Sequence, residues 1–441
     1  MNKSEDLLAL AESLVEFGRR AGAEQIEVGI HRGVEFTARV RNGQIEHLVE
    51  AGARSIGARV IVDHRVATTS SSDLRPDTLQ RLLTNAVSRA RLVSADPYAG
   101  LPEKEELAVD IASLRLYDPA IASLGAEEKI QMALDTEELC LADPRIKSSY
   151  GATCATSVGQ FFLANSLGFS GWYEGTSISL GVYLQAGRGD ELVEDGWYEG
   201  ARHLADLPPP EAIAEKALHR VTRMIGPRKI ATQNVPVVLE PDLTGELLYM
   251  LFTCVNGEAI YQRQSFLVDK LGEKVASDKV NVVDDGLFSA GPGTRPFDGE
   301  GVPTRKTVVI EQGVLRSYLL DTYSARKLGM QSTGNASGVN NFHMAPGPHA
   351  PGEIIASVDK GLLVTGTMGW GFNPVTGDLS RGAFGLWIER GQIVHPVAEV
   401  TISGNLASML RNVEMVGNDF RLRRSIIGPT IKIAEMTVAG A

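Results

Sequence analysis

Between Val34 and Arg41 apolar and polar residues alternate, with Val34, Phe36, Ala38 and Val40 on one side of a strand, and Asn42-Gly43 follows at once. A two-residue type I′ turn needs positive φ at both central positions, which Asn-Gly supplies at little cost, so this stretch commits the chain to an antiparallel hairpin. The same pattern recurs on both sides. Ile26, Val28 and Ile30 alternate before it. After it Ile56, Ala58, Val60 and Val62 alternate, Asp63-His64 turns, and Val66 to Thr69 returns. Four or more antiparallel strands are therefore expected before the next helix. Glu311-Gln312-Gly313 and Glu389-Arg390-Gly391-Gln392 repeat this kind of turn far downstream. Glycine supplies 46 of the 441 residues, above the usual share of about 7%, as many tight turns require.

Helical periods are interleaved with this β pattern. Leu7, Leu10, Leu14, Val15 and Phe17 share a face, and Pro76 suits the first turn of a helix with Leu79, Leu82, Leu83, Ala86, Val87 and Ala90 inward. Ala126 to Leu141 reads as a helix burying Ile130, Ala133, Leu134 and Leu141, although Glu137 falls on the same face. Segments 147–158, 160–164 and 177–184 read as a meander, and a helix from about Pro210 to Met224 closes the half. Gly226-Pro227 then marks a boundary. Beyond it the spacing predicts one helix from Leu243 to about Val255, followed by strands near 280–283, 306–311, 314–320, 362–366, 382–389 and 392–396. The expected class is α+β: an N-terminal α/β domain of antiparallel strands and flanking helices over residues 1–228, with a possible sub-division near 100–125, and a mainly antiparallel, barrel-like β domain over 229–441.

Composition narrows the function. The net charge of −11 argues against partnership with nucleic acid or an anionic membrane. The longest apolar stretch, Leu247 to Val255, is about half of a membrane span. Cys140, Cys154 and Cys254 are too scattered for a disulfide framework or a CxxC site, and the acidic first turn is unlike a secretory leader, so a cytoplasmic protein is expected. No HExxH, no GxSxG and no phosphate loop is present; the glycine-dense Gly366 to Gly371 lacks the Lys-Ser/Thr that a phosphate loop needs. His343 and His349 read as parts of a surface loop. Asp284-Asp285-Gly286 and Asp298-Gly299-Glu300-Gly301 read as turns and Cys254 as buried filler, while Arg421, Arg423 and Arg424 fit a solvated strand edge as readily as a partner surface.

One stretch, Gln264-Ser265-Phe266-Leu267-Val268-Asp269-Lys270-Leu271-Gly272-Glu273-Lys274-Val275, resembles the signature region of the TldD/PmbA family, the modulators of DNA gyrase. Further blocks follow in the family's order: Ser70 to Leu74, Asp96 to Gly100, Phe297 to Thr304, Tyr323 to Gly329, Ser332 to Asn335, Gly377 to Ala383 and Val416 to Asp419. The Tyr323 and Gly377 blocks resemble the PmbA (TldE) branch. The family's enzymatic member carries HExxxH on the helix before the Ser-Phe block and a cysteine near the C-terminus. Counted back from Ser265, those motif positions hold Leu248, Tyr249 and Thr253, and Ser425 to Thr430 has no cysteine. Leucine has no donor atom, and threonine is a poor zinc ligand.

The resemblance thus implies a dimer subunit with no catalytic residue and no metal or other cofactor of its own, zinc being expected in a TldD-like partner. Together the two would form a metalloprotease acting on unfolded peptides held as extended strands. A homodimer without that partner is the alternative. Gly334, Asn335, Gly369, Gly371, Asp378, Gly417 and Asn418 are candidates for the peptide path or an interface, since glycine-rich backbone permits close approach.

Overall fold

In the computed structural model of the chain, residues 3–108, 114–189, 191–369 and 371–440 are described, without the side chains of 3–5 and 188. Six antiparallel strands form the first sheet: β1 Gln25–Arg41, β2 Gln44–Val62, β3 Arg65–Ser71, β4 Ile146–Asn165, β5 Ser170–Arg188 and β6 Glu191–Ala201, in the order β3-β2-β1-β4-β5-β6. Asn42 and Gly43 take φ of 52° and 71°, and Asp63 and His64 take 50° and 57°, so both early hairpins use the expected left-handed pairs. Three long strands, rather than four or more, precede the helix at Pro76. The readings of 26–30 and 34–40 as separate strands, and of 147–158 and 160–164, are corrected to β1 and β4.

Helices cover one face of this sheet in two groups. Helices α1 Lys3–Arg20 and α2 Pro76–Ala90 pack on Ile26, Val28, Ile30 and Phe162. The short α3 Pro119–Ser123, α4 Ala126–Leu141 and α5 Pro210–Thr222 pack on Val40, Cys154, Leu180 and Val182. Within α4 the inward face is Ala133, Thr136, Glu137 and Cys140, whereas Leu141 is exposed. Glu137 is tolerated there because its Oε2 accepts from the Gly43 amide at 2.9 Å. Between the two groups the middle of the sheet is bare: Arg32, Val34, Glu50 and Arg54 are all exposed.

The second half holds two more sheets. Strands β7 Gln233–Leu239, β8 Val282–Asp285, β9 Lys306–Glu311, β10 Val314–Leu315, β11 Phe342–Met344, β12 Lys360–Met368, β13 Asp378–Glu389, β14 Gln392–Asn405, β15 Val413–Val416, β16 Ile426–Ile427 and β17 Ile431–Ala439 follow one another. One sheet runs β10-β9-β8-β11-β16. The other runs β14-β13-β12-β7-β17-β15, and a further β14–β17 pairing closes five of its strands into a barrel. Helix α6 Pro241–Val255 lies between the barrel and the smaller sheet and is apolar on nearly every side, with Leu247, Leu248, Leu251 and Val255 buried. The fold class is the one expected, α+β with mainly antiparallel sheets and a barrel.

One edge of the first sheet is open. Strand β3 covers only Ile56–Val62 of β2, so Gln44 to Ser55 pair with β1 alone, and each of these residues is exposed.

Candidate functional site

Helix α6 begins with Pro241 at its first position, after Glu240, whose carboxylate takes bonds from Arg220 and Arg223 at 2.8 and 2.7 Å. Burial pushes the Glu240 carboxyl up, but the two guanidiniums outweigh it and hold it below its ordinary value. At the other end the Ser265 hydroxyl donates to the Cys254 carbonyl at 2.7 Å, so the signature Ser-Phe block clasps the helix terminus.

Leu248 is fully buried. Tyr249, the next residue, is 43% exposed beside Phe252. The Thr253 hydroxyl is spent on the Met250 carbonyl at 2.7 Å. Of the other donors on α6, Asp242 is engaged by Arg423 and Glu246 by Arg381 and Thr367, Cys254 is buried, which pushes its thiol up to about 11, and the Thr244 hydroxyl is buried without a hydrogen-bond partner. Segment 425–430 lies directly against α6. A Cβ at Gly245 would meet the Ile426 carbonyl at 3.1 Å, and Asp419 fixes Thr430 by accepting from its amide and hydroxyl at 2.9 and 2.7 Å. A zinc ion needs about four N, O or S donors converging at about 2 Å. The residues at these positions do not fit one, and among the described residues no three His, Cys, Asp or Glu side chains group as a metal site.

The other sequence candidates fall in three separate places. Asn335 is buried and donates to Asp284 at 2.7 Å, and Gly334 (φ 76°) packs so closely on Pro303 that a Cβ would lie 2.7 Å from its carbonyl oxygen. Gly369, Gly371 and Asp378 sit where β12 leads to β13; Asp378 is exposed and bonded to Thr376 and Asn405, while Gly371 lies against the Ser380 carbonyl. Gly417 bridges His349, and the Asn418 amide donates to the His349 carbonyl at 2.8 Å.

Several readings of the acidic and basic residues are corrected. Asp284 is not at a turn but in β8, fully buried, accepting from Asn335 and Asn340. Asp298 and Glu300 are buried too. Asp298 accepts the Ala336 amide, and Glu300 binds Arg59 at 2.9 Å and the Thr322 amide at 3.0 Å. Arg59 also holds Glu27 at 2.8 Å, so one cation serves a junction with three buried carboxyls between β1, β2 and the second half. Burial is the main reason that Glu27 rises to about 7, against the pull of Arg59, and that Asp298 rises to about 6. Arg423 is no solvated edge: it is buried, 4.2 Å from the centre of the Trp197 ring, and bonded to Asp242. His343 is buried in β11, its ring 5.0 Å from that of Phe420.

The main concavity lies elsewhere. On the face of the first sheet opposite the helices, a trough of about 640 Å³ crosses the strands. Its floor is a register row, Ala53-Gly33-Gly159-Gly175, running over β2, β1, β4 and β5. Ser55, Ser157, Ser177 and Ser179 line it, His31 stacked on Phe161 at 4.4 Å and Tyr173 stand at one end, and Arg202, held by three carbonyls of residues 291–294, is also among its walls. A bare backbone floor with hydroxyl walls accepts an extended chain with little regard for its side chains. Sequence reading missed it; the available signal was isolated glycines inside alternating strands.

Three family models match the chain: PmbA/TldA metallopeptidase domain 1 over residues 26–90, the central domain over 101–225 and the C-terminal domain over 232–440. The metalloprotease PmbA of Escherichia coli O157:H7 is 34% identical over 96% of this chain and 93% of its own. A PmbA homolog from Haemophilus influenzae is 32% identical over 99% and 97%. A crystal structure from Bacteroides thetaiotaomicron, bearing the name modulator of DNA gyrase, superposes with a TM-score of 0.94 at 30% identity and covers 100% of both chains. The TldE of Thermococcus kodakarensis, at 23% identity and covering 98% and 100%, shares the fold with a TM-score of 0.87.

Proposed function

The chain belongs to the PmbA/TldD metallopeptidase family, and from that premise we propose that it is the subunit without zinc of a two-subunit protease. A TldD-type partner supplies the metal and the hydrolysis. This chain supplies half of the enclosure and a surface along which unfolded peptide lies extended.

The observation that carries this reading is Leu248, fully buried at a position where the family's zinc motif requires a donor, with Gly428 packed against it. The trough supports the second part, since Gly33, Gly159 and Gly175 leave main chain accessible across three adjacent strands. The resemblance extends to precursors of ribosomally made peptide antibiotics and unstable antitoxins as substrates, in the cytoplasm. A peptide-binding or regulatory homodimer is the second reading, favoured by the open edge of β2.

The test is metal analysis and peptidase assay of the purified chain, alone and with an HExxxH-bearing TldD subunit. Expected are substoichiometric zinc, no cleavage alone, and cleavage on mixing. Stoichiometric tightly held zinc, or cleavage by the chain alone, overturns the proposal.

A further inference from the structure

A guanidinium drawn out of water normally meets a carboxylate, and those of Arg59, Arg220 and Arg423 each do. Arg202, just past the end of β6, does not. Its Nε donates to the Gly291 carbonyl at 2.7 Å and its Nη2 to those of Pro292 and Thr294 at 2.9 and 3.1 Å, all of them neutral acceptors. Burial disfavours its charge, the nearby Arg295 adds to the cost, and no carboxylate offsets either. Arginine cannot respond by giving up its proton, so the site keeps a cation without a counterion.

The third nitrogen of that side chain turns to the trough. Nη1 has no hydrogen-bond partner among the described residues, and a Cβ on Gly175 would lie 2.7 Å from it, so it stands over the floor glycine of β5. Tyr173, two residues before Gly175, lies on the same face of the strand. Its hydroxyl is also without a hydrogen-bond partner among the described residues, and it is near enough to Arg202 and Arg295 to feel their charge. Two free donors, one of them charged, match the two oxygens of a carboxylate. A phosphate dianion would ask for more donors than Arg202 has left. On β1, two strand spacings or about 10 Å away, Glu35 lines the trough exposed and without an ion-pair partner among the described residues. The concavity is therefore positive at its β5 end and negative at its β1 end.

We propose that Arg202 and Tyr173 form a carboxylate subsite at the β5 end of the trough, taking the C-terminal carboxylate or an acidic side chain of an extended peptide between Arg202 Nη1 and the Tyr173 hydroxyl. This subsite rests on the trough being the peptide path and adds a preference to it. A floor of glycine is indifferent to most side chains, whereas the cation selects a negative group and sets the direction in which the chain lies, away from Arg202 toward β1. With a C-terminal carboxylate the subsite is an end stop; with an internal Asp or Glu the chain runs on through it.

The test is calorimetric titration of the full chain, without a partner subunit, with three probes: an acetylated hexapeptide of alanine and serine ending in a free carboxylate, its C-terminal amide, and that amide carrying one internal Glu. At least one carboxylate form is expected to bind about tenfold tighter than the plain amide, and which form does so names the source of the carboxylate. Arg202→Gln should erase the difference and leave the affinity of the plain amide in place. Because Arg202 also ties down residues 291–294, Gly175→Ala is the second variant. Its methyl group displaces only the end of a flexible side chain, so it should erase the same difference with the melting temperature unchanged. Equal affinity for acid and amide, or a difference that survives both variants, overturns the subsite; if Gly159→Val still abolishes binding, the trough remains the peptide path. No binding of any probe, or binding indifferent to Gly159→Val, overturns the peptide path and the subsite with it.

Discussion

Gly428 closes on Leu248: a single carbon added at 428 would lie 3.4 Å from the Leu248 Cδ1 and only 2.3 Å from the Thr244 Cγ2. Helix α6 and the segment leading to β17 therefore meet through an apolar joint at the position that the proposed function pairs with a histidine of the zinc motif. Restoring histidine there inserts a polar ring into a filled interior. Leu248→His should cost about 2–4 kcal/mol of unfolding free energy, whereas Tyr249→Glu, at an exposed position, should stay within about 0.5 kcal/mol. Urea midpoints of the two variants check the contrast.

Gly159 sits in the floor of the trough with no heavy atom within 4 Å of an added Cβ and no positive φ. Gly159→Val should fold with an unchanged melting temperature, since valine suits a strand. Peptide cleavage by the mixed complex should fall several-fold. Full activity with the trough filled would remove it from the peptide path.

Glu27 has an ordinary value of 4.5 and lies near 7 in the fold. Below pH 4.5 both folded and unfolded chains hold the proton. As pH rises from there to 7 the unfolded chain releases it first, so stability falls through this window by an amount on the order of 2–3 kcal/mol, and the penalty is complete above pH 7. Glu27→Gln should flatten that part of the stability–pH curve and raise stability at pH 8. An unchanged slope in denaturant titrations would show that Glu27 is not the titrating group.

Arg423, held by Asp242 of α6, ties the second half to β6 through the Trp197 ring. Arg423→Ala should cost about 2–4 kcal/mol, because it strips the main partner from a largely buried carboxylate and uncovers an indole face. The Trp197 contribution to fluorescence should shift to the red at the same time.

Much of the first sheet was legible because alternation and turn dipeptides are local. Its strand lengths were not. Alternation fails at His31-Arg32-Gly33 and around Gly159, which reads as a break, yet both strands run on; these are the places where the sheet passes from under one helix group to the other and has nothing to bury against. Asp284 and Asp298 misled for a different reason. Their sequences are those of turns, and the donors that make burial affordable, Asn335, Asn340 and the Ala336 amide, come from far along the chain. The candidate metal positions were found by family spacing alone, and the trough, made by four strands in register, had no contiguous signature.

The barrel sets an order on synthesis. Strand β7 takes β12 on one side and β17 on the other, and β17 emerges roughly 190 residues after β7, about 10 to 40 seconds later at a ribosomal rate of 5–20 residues per second. The first sheet, whose six strands all lie before residue 202, can be complete by then. Truncation within Ile431–Ala439 should therefore leave a protein whose first sheet is folded and whose barrel is open, with the strand that waits longest exposing its apolar edge to aggregation.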